Sequence, residues 1–317
     1  MAVLVYEHAV ATGDRRLLPE GSAMAEALAM ALSEAGERPV IPAAEGVGLR
    51  WGVVVRSLEE ALDMCDGAVV VAPEDDDVLA GVIEELSEAG LRVYGPDPDA
   101  VRIAADKVET KGRLKEAGLR VPPEDGECLV VKPRGSCGSE GVIMSLEDGV
   151  NGDDVLIEGL VAGPKCSVLA CRWGGDVGVL AVNDQVMVEA AGHMIYVGGV
   201  TPSAFLGVED ARSLAVTVGD ALGLDGVFGV DLVVTKSGPV VLEVNPRPTT
   251  PIVAAASEDP ESVASSLLGD PRDVSYESSY LYVHGGLSAL TEMIMDRMDV
   301  EASETLKIGG LRVVEIR

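Results

Sequence analysis

Aromatic residues are nearly missing from this chain. They make up 3% of 317 residues, with two Trp and two Phe, so its core has to be built from Val, Leu, Ala and Met. Positive charge is scarce too: 24 Lys and Arg stand against 53 Asp and Glu, a formal net charge of −29. That balance excludes a general nucleic-acid or anionic-membrane partner, both of which require basic surface. The five cysteines, at 65, 128, 137, 166 and 171, form no CxxC pair and are odd in number, which argues against a disulfide framework or a zinc site. No apolar run approaches the ~18 residues of a membrane span. The start, MAVLVYEHAV, has no basic n-region and its apolar run is interrupted by Glu7, so it reads as a first strand rather than a signal peptide. The expectation is a soluble, cytoplasmic protein. No GxGxxG follows the first strand, and Gly-Lys-Ser/Thr occurs nowhere, which removes the dinucleotide and Walker A signatures.

What is present is a 47% hydrophobic composition, enough for two or three modest domains with a real core. Up to about residue 100 the pattern alternates. AVLVYEH, RPVIPA, GVVVR, GAVVVAP and LRVYGP read as strands. EGSAMAEALAMALSEAG is an expected amphipathic helix with Met24, Leu28, Ala31, Leu32 and Ala35 on one face and Gly36 at its end. SLEEALDMC opens with Ser57 and Glu60 at capping-box spacing, and DVLAGVIEELSEAG is a further helix. Such alternation predicts a parallel sheet with helices on its faces. A helix is expected from Pro98 to Gly118, then the strand CLVVKP, the loop RGSCGSEG and a strand–break–strand in DVLIEGLVAGPKCSVLAC. EDARSLAVTVGDALGL predicts a helix with Ala215, Val218 and Leu222 inward, and a hairpin turning at Lys236–Gly238 follows it. The last 60 residues predict one helix near Leu287–Met298 and leave the strands there open.

Two constellations carry chemistry. On the hairpin, Asp231 lies on one strand, while Glu243 and Asn245 lie two apart on the next and so share a face. Two carboxylates and an amide oxygen among Val and Leu repel one another unless a cation joins them, and hard oxygen ligands suit Mg²⁺. The second is VVKPRGSCGSEGV, where Lys132 ends an apolar strand before glycines at 135, 138 and 141. A loop of this kind can bring backbone N–H groups to phosphate oxygens, with the lysine as a point charge. All seven lysines lie at or beyond Lys107, and four of them (Lys107, Lys111, Lys115, Lys132) are clustered. In so acidic a chain, a polyanion would be held there.

In order, the helix with Asp106-Lys107, the strand lysine Lys132 with its glycine loop, the segment LIEGLVAGPKCSV, the GVD strand and ExNPR resemble the ATP-grasp superfamily over about residues 100–250. The resemblance implies an α/β fold in which two α+β lobes grip ATP. A Rossmann-like parallel-sheet domain (1–98) would precede a small lobe (99–157) and a large lobe (158–317). It also implies that Lys107 and Lys132 contact phosphates and that the loop with Gly135, Ser136, Gly138 and Gly141 covers them. Glu158 and the Leu160–Val161 backbone would hold adenine, and Asp231, Glu243 and Asn245 would hold Mg²⁺, with Mn²⁺ as an alternative. Arg247, locked between Pro246 and Pro248, would steady the transferred group and share the catalytic work with Lys132. Two departures stand out. Lys165 occupies a place where many relatives carry a ribose-binding Glu, and Gly229 lies where some carry an arginine.

Within the superfamily, YEHAVATG, LPEGSAM, AVNDQVM, MIYVGGVTP and NPRPTTP are most similar to the archaeal tyramine–glutamate ligases of methanofuran biosynthesis. That resemblance implies an ADP-forming ligase whose partners are small molecules, an amino acid and an amine, with a homodimer left open. His193 and Tyr196 are candidates for the acceptor pocket, as is His8 at the end of the first strand. Other acid–amine pairs, a carboxyphosphate-forming enzyme and a non-catalytic ATP sensor are the alternatives.

Overall fold

A computed structural model describes residues 1–134, 143–145, 155–190, 193–284, 302–308 and 311–316. The expected helix at 287–298 and the loop positions Gly135, Ser136, Cys137, Gly138 and Gly141 lie outside the described residues.

The first unit runs β1 (Ala2–Glu7), α1 (His8–Thr12), α2 (Leu18–Glu34), β2 (Arg38–Pro42), β3 (Val53–Val55), α3 (Leu58–Leu62), β4 (Gly67–Val71), α4 (Val78–Glu88) and β5 (Arg92–Val93). Its five strands are all parallel, in the order β3-β2-β1-β4-β5. Ser57 caps α3 by accepting from the Glu60 amide at 3.3 Å, while the Glu60 carboxylate accepts from the Arg56 amide. The expected one-faced amphipathicity of α2 is corrected. Gly21, Ala23, Ala25, Ala27, Leu28, Ala29, Ala31 and Leu32 are all buried, because α2 packs on β1 and β2 on one side and on two later helices on the other.

Two helices follow, α5 (Pro98–Ala105) and α6 (Lys107–Glu116), where the sequence predicted one. The break is Asp106. Its extended backbone ends α5, and its carboxylate accepts from the Val108 and Glu109 amides as the N-cap of α6. Arg134 grips the same carboxylate at 3.0 and 2.6 Å and holds it below the usual range. β6 (Leu129–Pro133), β7 (Ile143–Ser145) and β8 (Val155–Gly159) form a small antiparallel sheet in the order β7-β6-β8.

The largest sheet is built from β9 (Lys165–Trp173), β10 (Asp176–Ala190), β11 (His193–Thr201), β12 (Gly226–Thr235), β13 (Gly238–Asn245), β14 (Ser279–His284), β15 (Ala302–Ile308) and β16 (Leu311–Ile316). It is accompanied by α7 (Val208–Leu222), α8 (Ile252–Glu258) and α9 (Pro260–Leu267). Its eight strands run β13-β12-β9-β10-β11-β14-β16-β15, all antiparallel. Ala215, Val218 and Leu222 of α7 face its core. Ala100, Ala104 and Leu114 of α5 and α6 enter that same core, so the two helices are anchored to the large sheet. Among the described residues, no helix is long and apolar enough to cross a membrane.

Candidate functional site

The hairpin β12–β13 pairs Gly229 with Asn245 and Asp231 with Glu243, then slips by one residue so that Leu232 meets Val241. This bulge leaves Leu242 without a ladder partner and re-aims its surroundings. Glu243 thereby stands directly across from Asp231, and the Leu242 carbonyl accepts from Lys132 Nζ at 3.4 Å. Asp231 also accepts from Gln185 Nε2 at 2.9 Å and from Asn245 Nδ2 at 3.4 Å. Burial first, and then the charge of Glu243, pushes the Asp231 carboxyl up to about 7. Buried acids this close fit a divalent cation, which would relieve their repulsion. The donor set is two carboxylates plus the Asn245 amide, once its oxygen is turned inward. Among the described residues no cluster of three or more His, Cys, Asp or Glu suits a metal, and a two-carboxylate site is the kind Mg²⁺ shares with phosphates.

Each cation of the expected phosphate grip has an acid partner. Lys107 Nζ lies 3.1 Å from Glu243 Oε1, and Lys132 Nζ lies 2.8 Å from Glu158 Oε2. Lys165, the departure noted in the sequence, starts β9 and is half-buried. Burial and then neighbouring Lys132 hold its ammonium below the usual lysine range, with Asp231 opposing them. It adds a positive charge to the same cleft. Glu158 is 2% exposed, so its carboxylate is enclosed by lysines. At the break after β8 the Leu160 amide donates to the Cys128 carbonyl at 2.8 Å. That donor is taken within the fold. Lys115 points away, 70% exposed and 3.8 Å from the exposed Glu124.

Arg247 lies near enough to Asp231 for its charge to favour the ionised carboxylate. Its amide donates to the Asn245 carbonyl at 2.8 Å, making a tight turn between the two prolines. Its Nε donates at 2.8 Å to Glu74, a buried residue just beyond β4. Glu7, at the end of β1, lies close enough for Arg247 to favour its ionised form. Thr250 is bonded to Glu20 of α2. The carboxyl edge of the parallel sheet, where open α/β sheets bind ligands, thus presents three glutamates to the NPRPTT turn. Gly229 has a steric reason. A Cβ there would lie 2.7 Å from Thr249 Cγ2, so a larger residue at that position requires the Thr249 side chain to move.

Tyr196 sits among Tyr282, Thr250, Glu20 and Asp231, and burial raises its hydroxyl well above the usual tyrosine value. The side chain of His193 lies outside the described residues. His8 opens α1 and stacks obliquely on Tyr6, with ring centroids 6.3 Å apart. The sequence reading missed Glu7, Glu20, Glu74 and Gln185. Glu7, Glu20 and Gln185 fall within YEHAVATG, LPEGSAM and AVNDQVM, stretches the resemblance singles out, while Glu74 lies in none of them.

Glu7 provides a test of the electrostatics. It accepts from the Val10 amide at 2.7 Å and packs so closely on Gly21 that a Cβ there would lie 2.3 Å from Oε2. Burial, opposed by the Val10 and Ala9 amides, pushes its carboxyl from 4.5 up to about 7. The folded state therefore binds more protons than the unfolded one between these values, and stability falls as pH rises through that window. Glu7→Gln keeps the acceptor and removes the charge. At pH 8 it is expected to be more stable than wild type by on the order of 2 kcal/mol, with the gap closing near pH 4.5. Chemical denaturation at the two pH values measures this, and an equal gap at both would show that the charge is not the cause.

A family model described as an ATP-grasp domain matches residues 104–251. The tyramine–L-glutamate ligase of Methanocaldococcus jannaschii is 30% identical over 188 residues, which cover 59% of this chain and 57% of that ligase. The match therefore spans little more than half of that relative. An ATP-grasp superfamily protein from Archaeoglobus fulgidus superposes with a TM-score of 0.73 at 22% identity, covering 100% of both chains. The biotin carboxylase domain of Hydrogenobacter thermophilus 2-oxoglutarate carboxylase, solved as a dimer with MgADP, ADP and bicarbonate, gives a TM-score of 0.63. It is 14% identical and covers 89% of this chain and 74% of that one. Residues 104–251 thus match an ATP-grasp domain, and the chain has the ATP-grasp fold with a parallel-sheet unit at its N-terminal end.

Proposed function

We propose that the protein is an ATP-dependent carboxylate–amine ligase that joins the γ-carboxylate of L-glutamate to tyramine. The observation that carries the reading is the meeting, in one cleft, of Lys107 and Lys132 with the paired acids Asp231 and Glu243. The substrate pair rests on the similarity to the Methanocaldococcus jannaschii ligase. The seam of Glu7, Glu20 and Glu74 around Arg247 suits a substrate that brings an amine. Tyr196 and Tyr282, buried beside each other near Glu20 and Asp231, suit an aromatic ring.

In this reading the glutamate γ-carboxylate oxygen attacks the γ-phosphorus of ATP, the bond to the β-phosphate oxygen breaks, and ADP leaves. The amine nitrogen then attacks the acyl carbon, phosphate departs with the bonding electrons, and the nitrogen loses a proton. Lys132 and Lys107 offset charge on the phosphates, and Lys165 adds to the same field. Mg²⁺ or Mn²⁺, held by Asp231, Glu243 and Asn245, would neutralise phosphate charge and orient the nucleotide. Arg247, aimed by Glu74 and the flanking prolines, steadies the group in transfer. With its Leu160 partner committed, Val161 and the nearby carbonyls are left to meet adenine. Holding both substrates in line supplies much of the acceleration, and no enzyme nucleophile takes part.

ADP release is the assay. Release that requires both L-glutamate and tyramine, with a γ-linked amide as product, is the expected result. Aspartate, one methylene shorter, is expected to be poor. Release with another acid–amine pair, or with bicarbonate in place of glutamate, would refute this substrate assignment.

A further inference from the structure

Lys111 has no role in the chemistry above, yet it is nearly as enclosed as Lys132. It lies one helical turn after Lys107 on α6, so the two ammonium groups share a side of the helix. Its Nζ lies 3.1 Å from Glu158 Oε1, while Lys132 Nζ lies 2.8 Å from Glu158 Oε2. Two lysines thus divide one buried carboxylate. Neither Lys111 Nζ nor Glu158 Oε2 has an aligned hydrogen bond, so charge rather than bond geometry holds these contacts. Lys111 and Glu158 line one cavity with Lys107, Leu156, Leu242 and Glu243 beside them, and Lys132 reaches the same carboxylate.

For Lys132 to reach a phosphate it has to release Glu158. A buried carboxylate left without a counter-charge is strongly disfavoured, so the exchange is open only if another cation stays behind. We infer that Lys111 is a positioning residue, the standing counter-charge of Glu158 that frees Lys132 to move its ion pair onto the nucleotide. This rests on the nucleotide reading above and assigns to Lys111 no contact with the reacting atoms.

The test is a double-mutant cycle read as the Kd for Mg-ADP by titration calorimetry. In the wild-type background, Lys111→Met is expected to weaken binding at least tenfold, because Lys132 becomes the only partner of Glu158. Lys111→Arg is expected to restore binding to within threefold. In the Glu158→Gln background, Lys111→Met is expected to change the Kd by less than twofold, since no carboxylate needs neutralising. Equal losses in both backgrounds would mean that Lys111 touches the phosphates itself, and overturn the inference. So would a folded Lys111→Met variant that binds as wild type does. If Lys111→Met does not fold, Lys111→Gln takes its place with the same expectations. Absence of Mg-ADP binding by the wild type would overturn the nucleotide reading along with this one; normal wild-type binding with an unaffected Lys111 variant overturns this one alone.

Discussion

Lys132→Ala is expected to lower kcat for ADP formation by about a thousandfold or more, equivalent to roughly 4 kcal/mol of lost transition-state stabilisation, with little change in Tm. The charge acts where phosphate charge develops, in an enclosed cleft. Its removal does not strand Glu158, because Lys111 remains 3.1 Å away. Lys115→Ala is the control. Its ammonium is exposed and its 3.8 Å partner Glu124 equally so, a pairing worth about 0–1 kcal/mol, and activity should stay within about twofold. Comparable losses in both variants would show that general positive charge, not a specific grip, is responsible.

Asp231→Asn is expected to split stability from activity. The carboxylate faces Glu243 across the bulge and is buried, so replacing it with an amide removes a repulsion. Asn at 231 can still accept from Gln185, and a turn of the Asn245 amide satisfies the other end. In EDTA the variant should melt about 2 °C or more above wild type. Turnover should fall by about a thousandfold, and the rise in Tm that Mg-ADP gives wild type should shrink or vanish. A variant that is destabilised in EDTA and still gains the full Mg-ADP shift would remove Asp231 from the metal site.

How far the sequence reading reached can be argued residue by residue. The hairpin was legible because alternation and a two-residue turn between apolar runs dictate antiparallel pairing, and Glu243 and Asn245 must share a face. The register was not, since the slip at Leu242 depends on what surrounds the strand. The break at Asp106 was hidden because an aspartate within a helical pattern is neutral until its partner Arg134 is known. α8, with Ile252 to Ala256 all buried, shows no polar stripe and so no helical period. β14 pairs with a strand 85 residues earlier, as Val283 does with Gly198, and local pattern carries no trace of that. Glu74 reaches Arg247 from 173 positions away, which is why the acid seam was invisible.

The double burial of α2 has a mechanical consequence. A helix that seats its alanines against β1 and β2 on one side and against α8 and α9 on the other cannot slide without opening two cores at once. The parallel-sheet unit and the large sheet are therefore welded into one chassis, reinforced by the Glu74–Arg247 strut. The small sheet has no such weld. Among the described residues it contributes no side chain to the apolar clusters, and its polar contacts with the chassis include the Glu158–Lys111 ion pair and the Lys132 bond to the Leu242 carbonyl. A shift of the small sheet against that chassis would therefore open none of the apolar clusters, and the Lys111–Glu158 pair is a contact that can be remade after it.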